Sequence, residues 1–258
     1  MTDTRRVWDC IIFFNEFDLL DLRLRTLGPY VDQFVIVEAP WTFSGKPKPL
    51  YFKEFHYGFK EWLPKIKHVQ LSGEIDARIP WEREWASRNA MIEGLKDAAP
   101  DDWVFQSDTD EIWRPELRDV EPGIRIVTYE HMHCFYHLNT QRVPEHKWLG
   151  TRRCRFRDWP GGQKLRDFVG RRIPNGGWHF SYLGDEFAAS AKLQAFSHTE
   201  YSGPEYSDPG KIREHIEAGT DLITPLQAFY VPVPIDDTFP KPVVEDRSRW
   251  EKYIKPMP

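Results

Sequence analysis

Trp103-Val104-Phe105-Gln106-Ser107-Asp108-Thr109-Asp110-Glu111 joins a short apolar run to a dense set of carboxylates. The run WVFQ has the length and the aromatic and β-branched content of a buried strand. The chain leaves its carboxyl end directly into Asp108 and Asp110, spaced i, i+2. In open α/β sheets, ligands bind beyond the carboxyl ends of the strands. Two carboxylates at such a tip can face one hard divalent cation. Their oxygens suit Mg²⁺ or Mn²⁺, which keep positions open for the oxygens of a diphosphate. The competing reading is a solvated acidic turn that caps a helix starting near Ile112.

On both sides of this stretch the chain alternates strand and helix. Val7–Phe14 is a compact apolar run and reads as a buried strand. Phe17–Leu27 follows with helical spacing of its apolar residues, closed by Gly28-Pro29. Phe34–Val37 and His68–Leu71 read as two further strands, and Trp81–Ala98 as the longest helix, stopped by Pro100. Strands separated by helices imply an α/β fold with a mostly parallel central sheet, helices on its flanks and right-handed crossovers. Beyond about residue 120 the pattern changes. Ile124–Tyr129, His133–Leu138, Arg152–Phe156 and Trp178–Leu183 read as strands, Glu186–Phe196 and Ile212–Ala218 as helices. Residues 159–177 read as loops around a short helix and carry Lys164, Arg166, Arg171 and Arg172, either a solvated face or a phosphate-facing loop. A Pro-rich tail, 236–258, is expected to be extended. No repeat or linker divides the chain, so residues 1–258 are expected to form one domain.

Composition excludes several classes. The chain has 258 residues, of which 40% are hydrophobic and 29% charged, which excludes a disordered or low-complexity protein. Its net charge is −5, so a nucleic acid is not an expected partner. The three cysteines, Cys10, Cys134 and Cys154, form no C-x-x-C pair and suggest neither a zinc site nor a disulfide framework. No stretch has the length and apolarity of a membrane span, and there is no N-x-[ST] sequon. Together these point to a cytoplasmic protein without a transmembrane segment.

Further groups with chemical potential are spread along the chain. In W-E-R-E-W-A-S-R-N-A (81–90), Arg88 lies one helical turn beyond Glu84, which suits an ion pair. It equally suits a phosphate contact above the same sheet edge. The loop T-F-S-G-K-P-K-P-L (42–50) offers Lys46 or Lys48 to a phosphate. Asn15, Glu16 and Asp18 stand at the tip of the first strand, where Asn15 or Asp18 can cap the helix and Arg23 can pair with Glu16 or Asp18. G-G-W-H-F-S-Y-L-G-D-E (176–186) and A-F-S-H-T-E (195–200) supply His179 and His198. Asp185 and Glu186 stand at a strand-to-helix junction, as helix-terminal acids or as a general base. A Ser-His-Asp set, a P-loop and G-x-G-x-x-G are all lacking, which removes support for triad hydrolase, kinase and dinucleotide readings.

Two long segments carry a family likeness. D-C-I-I-F-F-N-E-F-D-L-L-D-L-R-L (9–24) and V-D-Q-F-V-I-V-E-A-P-W-T-F-S-G-K-P-K-P-L (31–50) resemble glycosyltransferase family 17, the family of the β-1,4-mannosyl-glycoprotein β-1,4-N-acetylglucosaminyltransferases. The likeness continues through R-N-A (88–90), S-D-T-D-E-I (107–112), G-W-H-F-S (177–181) and F-S-H (196–198). It implies a GT-A-like fold, a nucleotide-sugar donor (UDP-GlcNAc), a divalent Mn²⁺ or Mg²⁺, inversion at the anomeric carbon and a glycan acceptor. Residues 1–120 would then be the donor-binding half and 121–235 the acceptor side. Asn15, Glu16, Glu38, Lys46, Arg88 and Asp108 are the expected donor contacts. Asp108 and Asp110 are the expected metal ligands, completed by His198 or His179, with His198 preferred. The expected base is Asp185 or Glu186, with Glu130 as a fallback. The stretch lacks the anchor, stem and sequons of the animal members, so an acceptor other than an N-glycan is expected.

Two other readings are distinguishable. A sugar-phosphate nucleotidyltransferase would carry a Gly-rich basic loop after its first strand, where this chain has FNEFDLLD. A non-catalytic carbohydrate-binding protein with a degenerate transferase fold would not need the D-x-D. The 15% aromatic content also points to sugars, since Trp41, Trp81, Trp85, Trp113, Phe135, Tyr136, Trp148, Trp178 and Tyr182 fall at strand tips or beside the acidic and histidine motifs. Flat rings there can stack on a base or a pyranose.

Overall fold

Every residue of β1 (Val7–Ile12) is buried, because the strand lies mid-sheet with a layer packed on each face. The computed structural model describes residues 5–73, 75–120 and 123–257. Along the chain, β1 is followed by α1 (Phe17–Leu27), β2 (Gln33–Glu38), α2 (Tyr51–Phe55) and β3 (Ile66–Gln70). Then come α3 (Pro80–Asn89), α4 (Met91–Gly94), β4 (Trp103–Asp108) and β5 (Glu111–Trp113). The second half opens with β6 (Ile126–Phe135), β7 (Thr140–Val143), β8 (Trp148–Arg155), α5 (Gly162–Asp167) and β9 (Arg171–Ser181). It closes with α6 (Glu186–Ala195), α7 (Pro204–Ser207), α8 (Pro209–Ala218), β10 (Phe229–Pro232), α9 (Lys241–Glu245) and α10 (Arg247–Trp250).

These strands form one sheet in the order β10-β7-β6-β8-β4-β1-β2-β3, with β9 beside β6 and β5 beside β9. The α/β class and the sheet-centred arrangement agree with expectation. The parallel character holds for β3, β2, β1 and β4. Beyond β4 the pairings β4–β8, β8–β6 and β6–β7 are antiparallel, so the sheet as a whole is mixed. Three strands were not anticipated: β5, β7 and β10 are each of four residues or fewer and have no periodicity of their own. The two strands expected over 124–138 are one, β6, whose polar middle accommodates a register shift between Thr128 and Glu130.

Period-two alternation distributes side chains between two apolar layers. From β1, Val7 and Ile11 join Leu20, Leu24 and Leu27 of α1 and Trp250, while Trp8, Cys10 and Ile12 face Met91 and Leu95. Each fully buried aliphatic side chain of this kind contributes roughly 1.5–3 kcal/mol. The tail is not extended. It folds into α9 and α10, buries Val243 and Trp250, and ties back to α1 through Arg249–Asp21 at 2.8 Å and Tyr253–Asp18 at 2.5 Å. Proline stands at the start of α9 rather than preventing it, since its fixed φ suits a first helical turn, while Asp246 caps α10.

Candidate active site

A polar bracket holds the carboxyl end of β4. Asp9 of β1 and Arg23 of α1 are both fully buried and pair through two contacts, at 2.6 and 2.7 Å. The same guanidinium donates to the carbonyls of Glu111 at 2.8 Å and Asp108 at 3.1 Å and to Ser107 Oγ at 2.7 Å. Thr109 Oγ1 donates to the Ile12 carbonyl at 2.7 Å. The chain can therefore reverse from β4 into β5 within two residues without stranding its carbonyls. Arg23 thus pairs with Asp9, not with Glu16 or Asp18.

The turn divides its carboxylates, Asp108 and Glu111 sharing Arg166 while Asp110 faces Lys192. Asp108 receives Arg88 of α3 at 2.9 Å and Arg166 of α5 at 3.2 Å. Glu111 receives Arg166 at 2.7 Å and the Trp148 indole N–H at 2.6 Å. Asp110 receives Lys192 of α6 at 2.5 Å, and its other neighbour is His179 of β9, with Nε2 at 3.6 Å. His179 reaches it because β9 pairs with β5, register Glu111↔His179. Burial alone would raise the Asp110 carboxyl, but Lys192 and then His179 outweigh it and hold it well below the usual carboxylate range. Burial is likewise outweighed at Glu111 by Arg166, and at Asp108 by Arg166 and Arg88.

These groups line a cleft of about 550 Å³, a size that suits a small-molecule substrate. Beside it lies a narrow apolar slot of about 90 Å³ at the tips of β1 and β2, faced by Phe13, Trp41, Phe43 and Phe196. A second cavity of about 600 Å³ opens between the β1 tip and the start of α6. Glu16 and Lys192 border all three spaces. Burial pushes the Glu16 carboxyl up, and Lys192 only partly offsets this.

With this geometry in view, the sequence profile of glycosyltransferase family 17 matches residues 1–232 of the chain. The chain belongs to glycosyltransferase family 17. Among curated proteins, it is 35% identical over 119 residues to the "Beta-1,4-mannosyl-glycoprotein 4-beta-N-acetylglucosaminyltransferase" of Rattus norvegicus and equally to that of Homo sapiens. The matched stretch covers 42% of this chain and 22% of each relative. A solved structure, the "Mannosyltransferase PcManGT from Pyrobaculum calidifontis in complex with GDP-Man and Mn2+", aligns with a TM-score of 0.41 at 13% identity, covering 84% of this chain and 70% of that one.

In this family 17 chain the expected site residues fall into three groups. Asp108, Asp110, Glu16, Arg88, His179 and His198 all border the cleft. Arg88 makes the ion pair its spacing suggested, holding Glu84 at 2.5 Å, and pairs with Asp108 as well. His198 sits at an exposed position with its Nδ1 on Glu200 at 2.7 Å and its ring edge-on to Trp81. His179, not His198, therefore stands beside Asp110. Asn15, Asp185 and Glu186 border the second cavity instead. Asp185 caps α6, accepting from the amides of Ala188 at 2.9 Å and Phe187 at 3.1 Å, and Glu186 pairs with Arg213 on the surface. Glu38 and Lys46 border none of the three spaces. Glu38 is buried against His68 at 3.1 Å, the Phe52 amide at 3.1 Å and Lys48 at 3.4 Å, while Lys46 reaches toward Gln194 at 3.4 Å. Lys48 is the loop lysine that faces the apolar slot. Glu130 is 3.9 Å from Arg172 and away from the cleft.

Sequence reasoning did not single out Glu111, Lys192, His133 or Trp148 as a set. Their signal was weak because each comes from a different element and only pairing of β5, β6, β8 and β9 brings them together. Of the aromatics expected near ligands, Trp81, Phe135, Trp148 and Tyr182 do line the cleft. Trp113 and Tyr136 are buried in the core, and Trp178 packs under Arg114 on another face.

No three His, Cys, Asp or Glu side chains among the described residues form a ready ligand set. Asp110 and His179 nevertheless fit a divalent ion. They present a buried carboxylate and an imidazole side by side, and Asp110 Oδ2 already carries a cation in the Lys192 ammonium. Asp108 fits less well, because two guanidinium groups occupy it. No helix among the described residues is long and apolar enough to cross a membrane.

Proposed function

We propose that this family 17 chain is a metal-dependent inverting glycosyltransferase that moves a sugar from a nucleotide-sugar donor, UDP-GlcNAc first among candidates, to a hydroxyl of a glycan. The observation that carries the reading is the Asp110–His179 pair at the floor of a substrate-sized cleft, adjoining an apolar slot at the β1 and β2 tips. The N-acetylglucosaminyltransferase relatives support the donor sugar.

The slot would take the flat base, between the rings of Phe13, Trp41 and Phe43. Arg88 and Arg166 stand along the cleft where the diphosphate would lie and already screen Asp108 from it. Asp110 and His179 would hold the divalent ion, which supplies positive charge against the departing diphosphate. Lys192 adds charge at the same point when it leaves Asp110. We assign the base to Glu16, because its carboxyl is pushed toward the working pH by burial and it borders both larger cavities. Asp185 and Glu186 are committed to a cap and a surface ion pair. Glu16 takes the proton of the acceptor hydroxyl as its oxygen bonds to the anomeric carbon and the bond to the diphosphate breaks on the opposite face. In this reading residues 1–120 chiefly bind the donor, 121–235 form the acceptor side, and the tail buttresses α1.

The test is nucleotide release from a panel of nucleotide sugars with and without Mn²⁺. Metal-dependent release from UDP-GlcNAc is expected, and release from no donor under any condition would overturn the reading.

A further inference from the structure

His133 lies on the wall of the cleft, 7% exposed, and neither of its ring nitrogens has a hydrogen-bond partner. Buried polar groups are nearly always paired, because an unpaired one costs about 1–3 kcal/mol. Both nitrogens of one ring left unpaired, on a residue that borders a cavity, are a hydrogen-bonding deficit that a bound ligand's polar atoms would satisfy. The ring is held firmly, since β6 pairs with β9 in the register His133↔His179. It stacks on His179 with centroids 4.8 Å apart, and His179 stacks on Trp148 at 4.3 Å. Phe135 closes the other edge, with centroids 4.9 Å apart. This is a rigid aromatic wall with two unused hydrogen-bonding atoms, one ring beyond the imidazole that stands beside Asp110.

We propose that His133 is a sugar-recognition residue, hydrogen-bonding the hydroxyl or acetamido groups of the transferred sugar while the adjoining rings pack on its apolar face. The inference rests on the nucleotide-sugar reading above. It commits to the donor sugar because the wall adjoins Asp110, where the diphosphate that carries this sugar would be held. A nucleotide without sugar should not reach it.

The experiment compares wild type with His133→Phe, which keeps the stacked ring, and His133→Gln, which restores a polar side chain. Melting curves confirm folding. Dissociation constants for UDP and for UDP-GlcNAc are measured with Mn²⁺ by calorimetry, and donor hydrolysis is followed without acceptor. In His133→Phe, UDP binding should stay within about twofold of wild type, while kcat/KM for UDP-GlcNAc hydrolysis falls about tenfold or more, as loss of one good hydrogen bond implies. His133→Gln should recover part of it. Unchanged UDP-GlcNAc hydrolysis in His133→Phe would overturn the proposal and point to the acceptor. Equal losses for UDP and UDP-GlcNAc would overturn it too, as a general disturbance of the site. A wild type that binds UDP but hydrolyses no UDP-sugar overturns the sugar-recognition role, while failure to bind any nucleotide overturns the transferase reading itself.

Discussion

Replacing Arg23 by Met separates what holds the active-site turn from what stabilises the fold. The guanidinium is completely buried, pairs twice with buried Asp9 and donates to the carbonyls of Asp108 and Glu111. Met fills much of the space but leaves buried Asp9 without its cation, with the Trp113 indole N–H at 3.0 Å, alone among the described residues, still donating to its side chain. Removing one member of a buried pair costs roughly 3–5 kcal/mol. For a chain of this size that corresponds to a melting point lower by about 6–20 °C. The double variant Asp9→Asn/Arg23→Met removes the stranded charge and keeps an acceptor for Trp113, so much of the stability should return. Activity should not return, because the turn that aims Asp108 and Asp110 is still untethered, and a displacement of about 1 Å can cost 10²-fold. Differential scanning calorimetry and donor hydrolysis on the same preparations give both readouts. A single variant melting within about 2 °C of wild type, well short of the roughly 6 °C that ~3 kcal/mol implies, or a double variant that regains turnover together with stability, would refute this account.

Asp110→Asn should abolish protection of the fold by UDP with Mn²⁺ in thermal melts and lower turnover by about 10²-fold or more, and unchanged Mn²⁺-dependent protection would remove Asp110 from the metal site. Glu16→Gln should leave donor binding intact and depress transfer by roughly 10²–10⁴-fold. Asp185→Ala should cost about 1 kcal/mol by loss of the α6 cap, with turnover retained, and Glu186→Gln should change little; the reverse ranking returns the base to 185–186. Burial depresses His131 from its ordinary value to about 3, so between pH 6.5 and 3 the unfolded chain binds a proton the native chain does not. Stability therefore falls as pH falls, by about 2 kcal/mol between pH 7 and 5 from this group. The depressed carboxylates Asp110 and Glu111 lose their contribution only at lower pH, so His131→Asn should flatten the upper window; an unaltered slope there would contradict it.

The strand-to-D-x-D junction, α1, the parallel β3-β2-β1-β4 unit and the family were legible in the chain itself, because local periodicity and contiguous motifs encode them. That Asp108, Asp110, Arg88 and Glu16 gather at one cleft was legible for the same reason, each lying in a motif just beyond a strand or on the helix between two strands. Chains of contacts between distant segments were not legible. Nothing local tells that Arg23 belongs to Asp9 or that His179 rather than His198 reaches Asp110, whereas the Asp185 cap is local and was one of the two readings its position allowed. The place of His179 depends on the pairing of β5 with β9 and β6 with β9, and the Arg23–Asp9 pair on the packing of α1 against β1. Sequence by itself thus determined the family and the strand tip at which the acidic motif stands. Tertiary structure alone decided which side chains share that space, since burial and register, not spacing along the chain, set the distance between charges.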